Sequence, residues 1–179
     1  MRHNSFLFSL LLFVIMGCVG LQKEVPLHKA VWKTFPESPS IENDIFRADL
    51  YPTHFSFRGC DGFHIVIKNK TEKNLEINWN RTLYMANGQT NGTFMYDGIL
   101  YKDRNANKPP DFVLPKGNFE KKIYPANLVT FSDSNWIHLP IGQGNHGIFL
   151  SLVIDGKEIN ETLTFTIERN TVLISTPKH

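Results

Sequence analysis

The sequence contains only two cysteines, Cys18 and Cys60, among its 179 residues. A fold held together by several disulfides is therefore excluded. Cys60 stands in the turn-like segment Arg58-Gly59-Cys60-Asp61-Gly62. We expect it to be a small buried side chain rather than a reactive thiol. The fold must then depend on a hydrophobic core, which a single domain of this length can build.

The chain also lacks an excess of charge of either sign. It has 19 lysines and arginines against 17 aspartates and glutamates, a net charge of +2, and no run of like charges. Nucleic-acid binding requires a basic patch, so we predict no nucleic-acid partner. With 41% hydrophobic and 20% charged residues, the composition is typical of a globular domain and not of a disordered chain.

No segment has the apolar spacing of an amphipathic helix, and prolines interrupt the middle of the chain. Instead, apolar and polar residues alternate from Phe46 onward. This alternation is typical of antiparallel strands with one buried face, and it predicts an all-β domain. The predicted buried faces comprise Phe63, Ile65 and Ile67; Leu75, Ile77 and Trp79; Ile148, Leu150, Leu152 and Ile154; and Leu163, Phe165 and Ile167.

Turn signals separate these stretches. Asn87-Gly88, Asp97-Gly98 and Asp155-Gly156 are hairpin-type dipeptides, and residues 69–74 form a polar loop. The spacing predicts an antiparallel β-sandwich of about seven to nine strands, with a small β-barrel as the alternative. The pattern resembles the immunoglobulin-like domains of cell-envelope proteins. Their Cys–Trp–Cys core is absent, so Trp79 would fill the core without a disulfide.

Motifs that support catalysis are missing. The sequence has no G-x-S-x-G, and the G-x-G-x-x-G at residues 142–147 precedes a strand, whereas a dinucleotide site needs a helix there. Residues 103–107 imitate the start of a calcium loop, but Lys108 and Leu114 occupy positions that need glycine and glutamate. We therefore predict that the protein is not an enzyme and has no cofactor or bound metal.

One alternative is a metal-binding or hydrolytic envelope protein that uses the His54–His64 region. Zinc accepts the side chains of His54, Cys60, Asp61 and His64, which lie close in sequence. Their spacing matches no common zinc pattern. His64 would also point toward solvent, opposite the buried face of its strand.

The longest apolar run extends from Phe6 to Met16, broken only by Ser9, and it is too short to span a membrane as a helix. A basic start precedes it and the small residue Gly17 follows it, as in a secretory signal peptide. The segment Ile15-Met16-Gly17-Cys18 resembles the lipobox of bacterial lipoproteins. This resemblance implies cleavage after Gly17 and attachment of lipid to Cys18.

On this basis we divide the chain into a lipoprotein signal peptide at 1–17, a lipid-anchored tether at 18–44 and a β-sandwich domain at 45–179. The tether prediction depends on prolines and on the absence of periodicity. The lipid would bind the protein to the membrane. Val19 follows Cys18, which implies localisation to the outer membrane if the host is Gram-negative.

A second alternative is a secreted glycoprotein. Four N-x-[S/T] sequons begin at Asn69, Asn80, Asn91 and Asn160. An asparagine- and threonine-rich β protein also produces such tripeptides by chance.

Aromatic residues outside the alternating pattern indicate a candidate binding surface. Tyr84, Tyr96 and Tyr101 cluster in a middle section rich in glycine and asparagine, and Trp136 is the fourth candidate. Such residues on the loops of a rigid sandwich suit recognition of a protein or a glycan. We therefore predict a non-enzymatic envelope lipoprotein that acts in binding or assembly of a protein or glycan partner.

Overall fold

The computed structural model describes residues 27–174, and the side chains of residues 29–172. The predicted signal peptide, Cys18 and the first part of the predicted tether lie outside the described residues. No helix within the described range is long and apolar enough to cross a membrane. The strands are β1 Leu27–Phe35, β2 Ser40–Glu42, β3 Phe46–Thr53, β4 Gly62–Asn69, β5 Leu75–Ile77, β6 Leu83–Ala86, β7 Gln89–Thr90, β8 Phe94–Met95, β9 Asp111–Val113, β10 Asn118–Pro125, β11 Val129–Ser132, β12 Asn135–His138, β13 Gly144–Ile154 and β14 Lys157–Ile174, with short 3-10 helices at Tyr101–Asp103 and Ala126–Leu128.

These strands form two antiparallel sheets and a separate hairpin. The first sheet has the order β1-β14-β13-β5-β9, with β6 paired to β13 and β7 to β6. The second has the order β2-β3-β4-β10-β8, and β11 pairs with β12 alone. Neither sheet closes on itself, so the predicted β-sandwich is confirmed and the barrel alternative is wrong. The structure has more strands than the predicted seven to nine. Several of them, such as β7 and β8 with 2 residues each, are too short to show alternation in the sequence.

The core lies between the two sheets where the alternation predicts it. Phe63, Ile65 and Ile67 of β4 are fully buried, and Phe63 packs edge-on against Phe165 of β14 with ring centroids 5.3 Å apart. Trp79 is also fully buried, as predicted. Burial of these large side chains supplies the main driving force for folding.

Two of the predicted turns have the backbone conformation that their sequences favour. Asp155 and Gly156 have φ values of 49° and 72° and join β13 to β14. Asn87 and Gly88 have φ values of 51° and 78° and join β6 to β7. Positive φ at both central positions matches the right-handed twist of the strands, which is why Asn-Gly and Asp-Gly are found in such hairpins.

The tether prediction is wrong from Leu27 onward. β1 pairs with β14 over nine positions, from Leu27↔Ile174 to Phe35↔Thr166. β2 pairs with β3 in the other sheet. The physical reason lies in β14, whose 18 residues extend beyond β13 and present an edge that β1 covers. Pro26 and Pro36 border β1, and the sequence analysis took these prolines as evidence of a tether.

Candidate binding surface

Tyr84, predicted as a binding residue, belongs to the core. Its side chain is 2% exposed, and its ring packs edge-on against Phe94 with centroids 6.2 Å apart. The Tyr84 hydroxyl donates a hydrogen bond to Nδ1 of His146 over 2.7 Å. Burial raises the pKa of this hydroxyl. The prediction of an exposed Tyr84 is wrong because β6 turns this residue into the space between the sheets.

His146 completes a buried polar network beneath the surface. Its Nε2 donates to the carbonyl oxygen of Gly142 over 3.1 Å, so that Nδ1 is left to accept from Tyr84. Burial lowers the pKa of the imidazole, which favours this neutral form. Nearby Cys60 is fully buried, and burial, with the charge of Asp61, raises the pKa of its thiol to about 12. The expectation that Cys60 is a small buried side chain is confirmed.

The four residues of the His54–His64 region do not converge. His54 Nδ1 lies 3.7 Å from a carboxylate oxygen of Asp61. His64, on β4, instead places its Nε2 3.4 Å from a carboxylate oxygen of Glu120 on β10. Cys60 points into the core instead. Among residues 27–174, no group of three histidine, cysteine or acidic side chains is placed to hold a metal ion. The geometry therefore gives the metal-binding alternative no support.

The G-x-G-x-x-G at residues 142–147 has a role in sheet packing. β13 begins at Gly144, so the last four residues of the motif belong to the strand itself and do not precede it. A Cβ at Gly147 would lie 2.8 Å from the carbonyl oxygen of Leu163. Glycine at this position therefore permits the close approach of β13 to β14.

Tyr96 is half-buried and supports an internal charge. Its ring lies against Trp79, with centroids 5.5 Å apart, and the Nζ of Lys121 is 3.9 Å from its centre. Lys121 also pairs with Asp111, which accepts a hydrogen bond from Trp79 Nε1 over 2.7 Å. Because its ring face is occupied by this cation, Tyr96 is a structural residue more than a contact for a partner.

Tyr101 and Trp136 do come together, as the prediction of a binding surface requires. Phe131 and Trp136 are directly opposite each other in the β11–β12 hairpin, with ring centroids 5.4 Å apart. Tyr101 stacks on Phe131 at 4.8 Å and lies 5.6 Å from Trp136. The guanidinium of Arg104 covers the Tyr101 ring at 4.1 Å. We call Tyr101, Phe131 and Trp136 the hairpin cluster; Tyr101 remains 42% exposed.

A second group of aromatic residues, of which Trp32 is half-buried and the other two are exposed, was missed from the sequence. Trp32 of β1 stacks on Phe55 in the β3–β4 loop, with centroids 6.2 Å apart and planes 15° from parallel. Phe57 in the same loop is 67% exposed. We call Trp32, Phe55 and Phe57 the loop cluster. It borders a cleft of about 630 Å³ that is also lined by Phe35 and Tyr51. No periodic signal links these residues, because they meet only when β1 pairs with β14.

Both clusters lie at one end of the sandwich, which we call the aromatic end. The β3–β4 loop projects from this end, and the bridge between Cys60 of that loop and Ile141 ties the base of the hairpin to it. The N-terminal part of β13 lies there too, because Ile141 precedes Gly144 by three residues. Most of the large apolar side chains that are exposed in the described part of the chain lie at the aromatic end: Phe35, Tyr51, Phe55, Phe57, Leu100, Tyr101, Phe131, Ile137, Leu139 and Val172.

The opposite end carries exposed ion pairs beside the exposed side chains of Phe112 and Leu114. It contains the β4–β5 loop and the β13–β14 turn, which lie at the far ends of β4 and β13. We call it the charged end. Its exposed ion pairs are Lys70–Glu42, Lys73–Asp155 and Lys116–Glu72. Such pairs add little stability but keep this end hydrated.

Two of the four sequons are engaged in the fold. Asn69 is fully buried, and its Nδ2 donates to the carbonyl oxygens of Lys73, Val113 and Leu114. Asn80 Nδ2 donates to the carbonyl oxygen of Lys108. A glycan on Asn69 is incompatible with this structure, because its attachment atom is enclosed. The sequons at Asn91 and Asn160 begin with exposed asparagines.

No protein-family model matches the chain, and no curated protein matches it in sequence. A crystal structure solved as a Northeast Structural Genomics Consortium target, SoR45, aligns with 85% of this chain and 93% of its own. The two share 13% sequence identity, with a TM-score of 0.32. At these values the similarity assigns neither a family nor a function to this protein.

Proposed function

We propose that this protein is a non-enzymatic lipoprotein of the cell envelope that binds a protein or glycan partner through its hairpin cluster. The lipobox-like segment ending at Cys18 supports the anchor. The β-sandwich supports the binding role, since it is a rigid scaffold that presents loops and a hairpin at one end.

The observation that carries the binding role is a partly exposed cluster of three rings: Phe131 and Trp136 lie on a hairpin that pairs with neither sheet, and Tyr101 lies on the short 3-10 helix beside it. Tyr101 and Phe131 remain 42% and 38% exposed although each stacks on its neighbours. A contiguous apolar patch of this kind, on a polar surface, marks interaction sites in soluble domains. Tyrosine and tryptophan are enriched in such sites because they combine a flat apolar face with a polar tip.

The arginine beside the cluster adds a directional contact. Arg104 lies over Tyr101 and also donates to its carbonyl oxygen over 3.0 Å, which holds the guanidinium near the rings. Its remaining N–H groups are available to a carboxylate of a protein or to the hydroxyl groups of a glycan. The cluster therefore offers both stacking and hydrogen bonding to one ligand.

The test is site-specific photo-crosslinking in the native host membrane. A photoreactive residue in place of Trp136 should give a discrete crosslinked product. The matched control is Leu114, which is 66% exposed and lies at the charged end. Identical products from both positions, or no product from position 136, would contradict the proposed binding surface.

A further inference from the structure

We infer that the side of the aromatic end formed by β1 and the β3–β4 loop faces the lipid bilayer, with this loop seated among phospholipid head groups, whereas the hairpin cluster, which follows β10, stays clear of the lipid. The residues concerned are those of the loop cluster, together with Arg58 and Arg169. This inference rests on the proposed lipid anchor at Cys18. It adds an orientation and a second, non-covalent membrane contact, and it leaves the hairpin cluster to the partner.

The path of the chain brings the anchor to the aromatic end. The described chain begins at Leu27 in β1, where Leu27 pairs with Ile174. β14 pairs with β13 only as far as Ile167, so its later residues form a two-stranded ribbon with β1 at the aromatic end. Nine residues lead from Cys18 to Leu27. Even fully extended they reach about 30 Å, so Leu27, at the tip of the ribbon that extends from the aromatic end, stays within about 30 Å of a bilayer that holds Cys18.

The arginines are distributed as a phospholipid surface would require. Arg47 and Arg81 lie outside the aromatic end and form ion pairs with acidic side chains. By contrast, Arg58 lies 5.1 Å from the centre of Phe57 and Arg169 lies 5.9 Å from that of Trp32. Within the described residues, neither of these two guanidinium groups has an acidic partner at ion-pair distance.

Arginine and aromatic residues together suit the membrane interface. A guanidinium binds phosphate oxygens through paired hydrogen bonds. Tryptophan is enriched at the level of the head groups, and phenylalanine inserts between acyl chains. The loop cluster offers both elements on one exposed loop and its neighbouring strand. A lipid surface therefore explains the unpaired arginines and the 67% exposed Phe57 together.

The experiment places an environment-sensitive fluorophore on a cysteine at position 57 of the full-length lipoprotein. Cys60 is buried and Cys18 is proposed to be acylated, so labelling is selective. The matched control is Leu114→Cys at the charged end, since Leu114 is 66% exposed. Each protein is reconstituted into vesicles of phosphatidylethanolamine and phosphatidylglycerol at about 3:1, with and without a spin-labelled lipid. We expect blue-shifted emission and several-fold stronger quenching at position 57 than at position 114. The Arg58→Gln, Arg169→Gln double variant should weaken the quenching at position 57.

Vesicle flotation separates the two proposals. A protein that does not float with the vesicles lacks the anchor, which overturns the proposed function. A protein that floats while position 57 stays as aqueous as position 114 overturns the orientation alone. Shielding of position 57 in native membranes but not in pure vesicles would show that a protein covers the loop, which also overturns it. If Phe57→Cys fails to fold, the label at exposed Ser56 answers the same question.

Discussion

At the scale of single residues, Asn69 holds three segments of the sandwich together. Besides its three donated bonds, its Oδ1 accepts from the backbone N–H and the hydroxyl of Thr71. Asn69→Ala removes the side-chain donor to the buried carbonyl oxygen of Val113, and it also removes the donor to the part-buried carbonyl oxygens of Lys73 and Leu114. Leaving buried polar groups without partners is costly, so we expect a loss of about 2–3 kcal/mol in the free energy of unfolding.

Chemical denaturation measures this loss directly. Asn160→Ala is the matched control, because Asn160 begins another sequon but is exposed. We expect a change within about 0.5 kcal/mol for the control. Equal stability of the two variants would contradict the role assigned to Asn69.

His146 makes the stability of the domain depend on pH. Because burial lowers its pKa in the folded protein, the unfolded chain, with a histidine pKa of about 6.5, binds the proton more readily. The free energy of unfolding should therefore decrease as the pH falls from about 7.5 through 6.5, and this contribution should level off below the folded-state pKa. Protonation would also remove the Nδ1 acceptor that Tyr84 uses.

The measurement compares denaturation at pH 7.5 and 5.5 for the wild type and His146→Gln. The glutamine side chain retains an amide oxygen that can accept from Tyr84, but it does not titrate. The variant should lose less stability over this interval than the wild type. The same loss in both proteins would show that other groups set the pH dependence.

The sequence did not show which of the four predicted aromatic residues are exposed. Tyr84, Tyr96, Tyr101 and Trp136 have similar sequence surroundings, yet the first is in the core and the second shields Lys121. Only Tyr101 and Trp136 share a surface. The reason is that these tyrosines lie in or beside very short elements. Tyr84 is in a four-residue strand, Tyr96 follows the two-residue β8 and Tyr101 begins a 3-10 helix, and elements of this length carry no periodic signal.

At the scale of elements, the Asp155-Gly156 turn sets the register of the longest hairpin. Gly156 has a φ of 72°, and a Cβ there would meet no atom within 4 Å. Gly156→Ala should therefore act through backbone conformation alone, with an expected loss of about 1 kcal/mol.

The control for this turn is Gly142→Ala. A Cβ at Gly142 would have only one contact, at 3.9 Å, and this glycine is not among those with positive φ. Thermal or chemical denaturation should show a neutral or slightly stabilising effect. If both variants lose the same stability, the backbone argument for Gly156 fails.

Alternation predicted the elements that are long and buried on one face, such as β4 and β13, and the dipeptide signals predicted their turns. β1 was not predictable in the same way. It borders prolines, and its partner lies more than a hundred residues away in β14. A strand that forms to cover the edge of another strand carries little information in its own sequence.

At the scale of the whole molecule, the two ends of the sandwich differ in chemistry. The aromatic end combines both clusters with arginines, whereas the charged end carries exposed ion pairs. This asymmetry was not predictable from composition, because it arises from register: Phe55 and Trp32 come together through β1, and Cys60 and Ile141 tie the hairpin to the same end. A domain with one apolar end is expected to bind in a defined orientation.

The intact mass of the native protein, extracted in detergent from the envelope fraction of its host, is the decisive measurement of whether lipid at Cys18 anchors the domain. We predict the mass of a chain that begins at Cys18 and carries a diacylglyceryl group and an acyl chain on that residue. A mass that begins at another residue and carries no lipid would contradict the anchor, and with it the proposed place of the domain at the membrane.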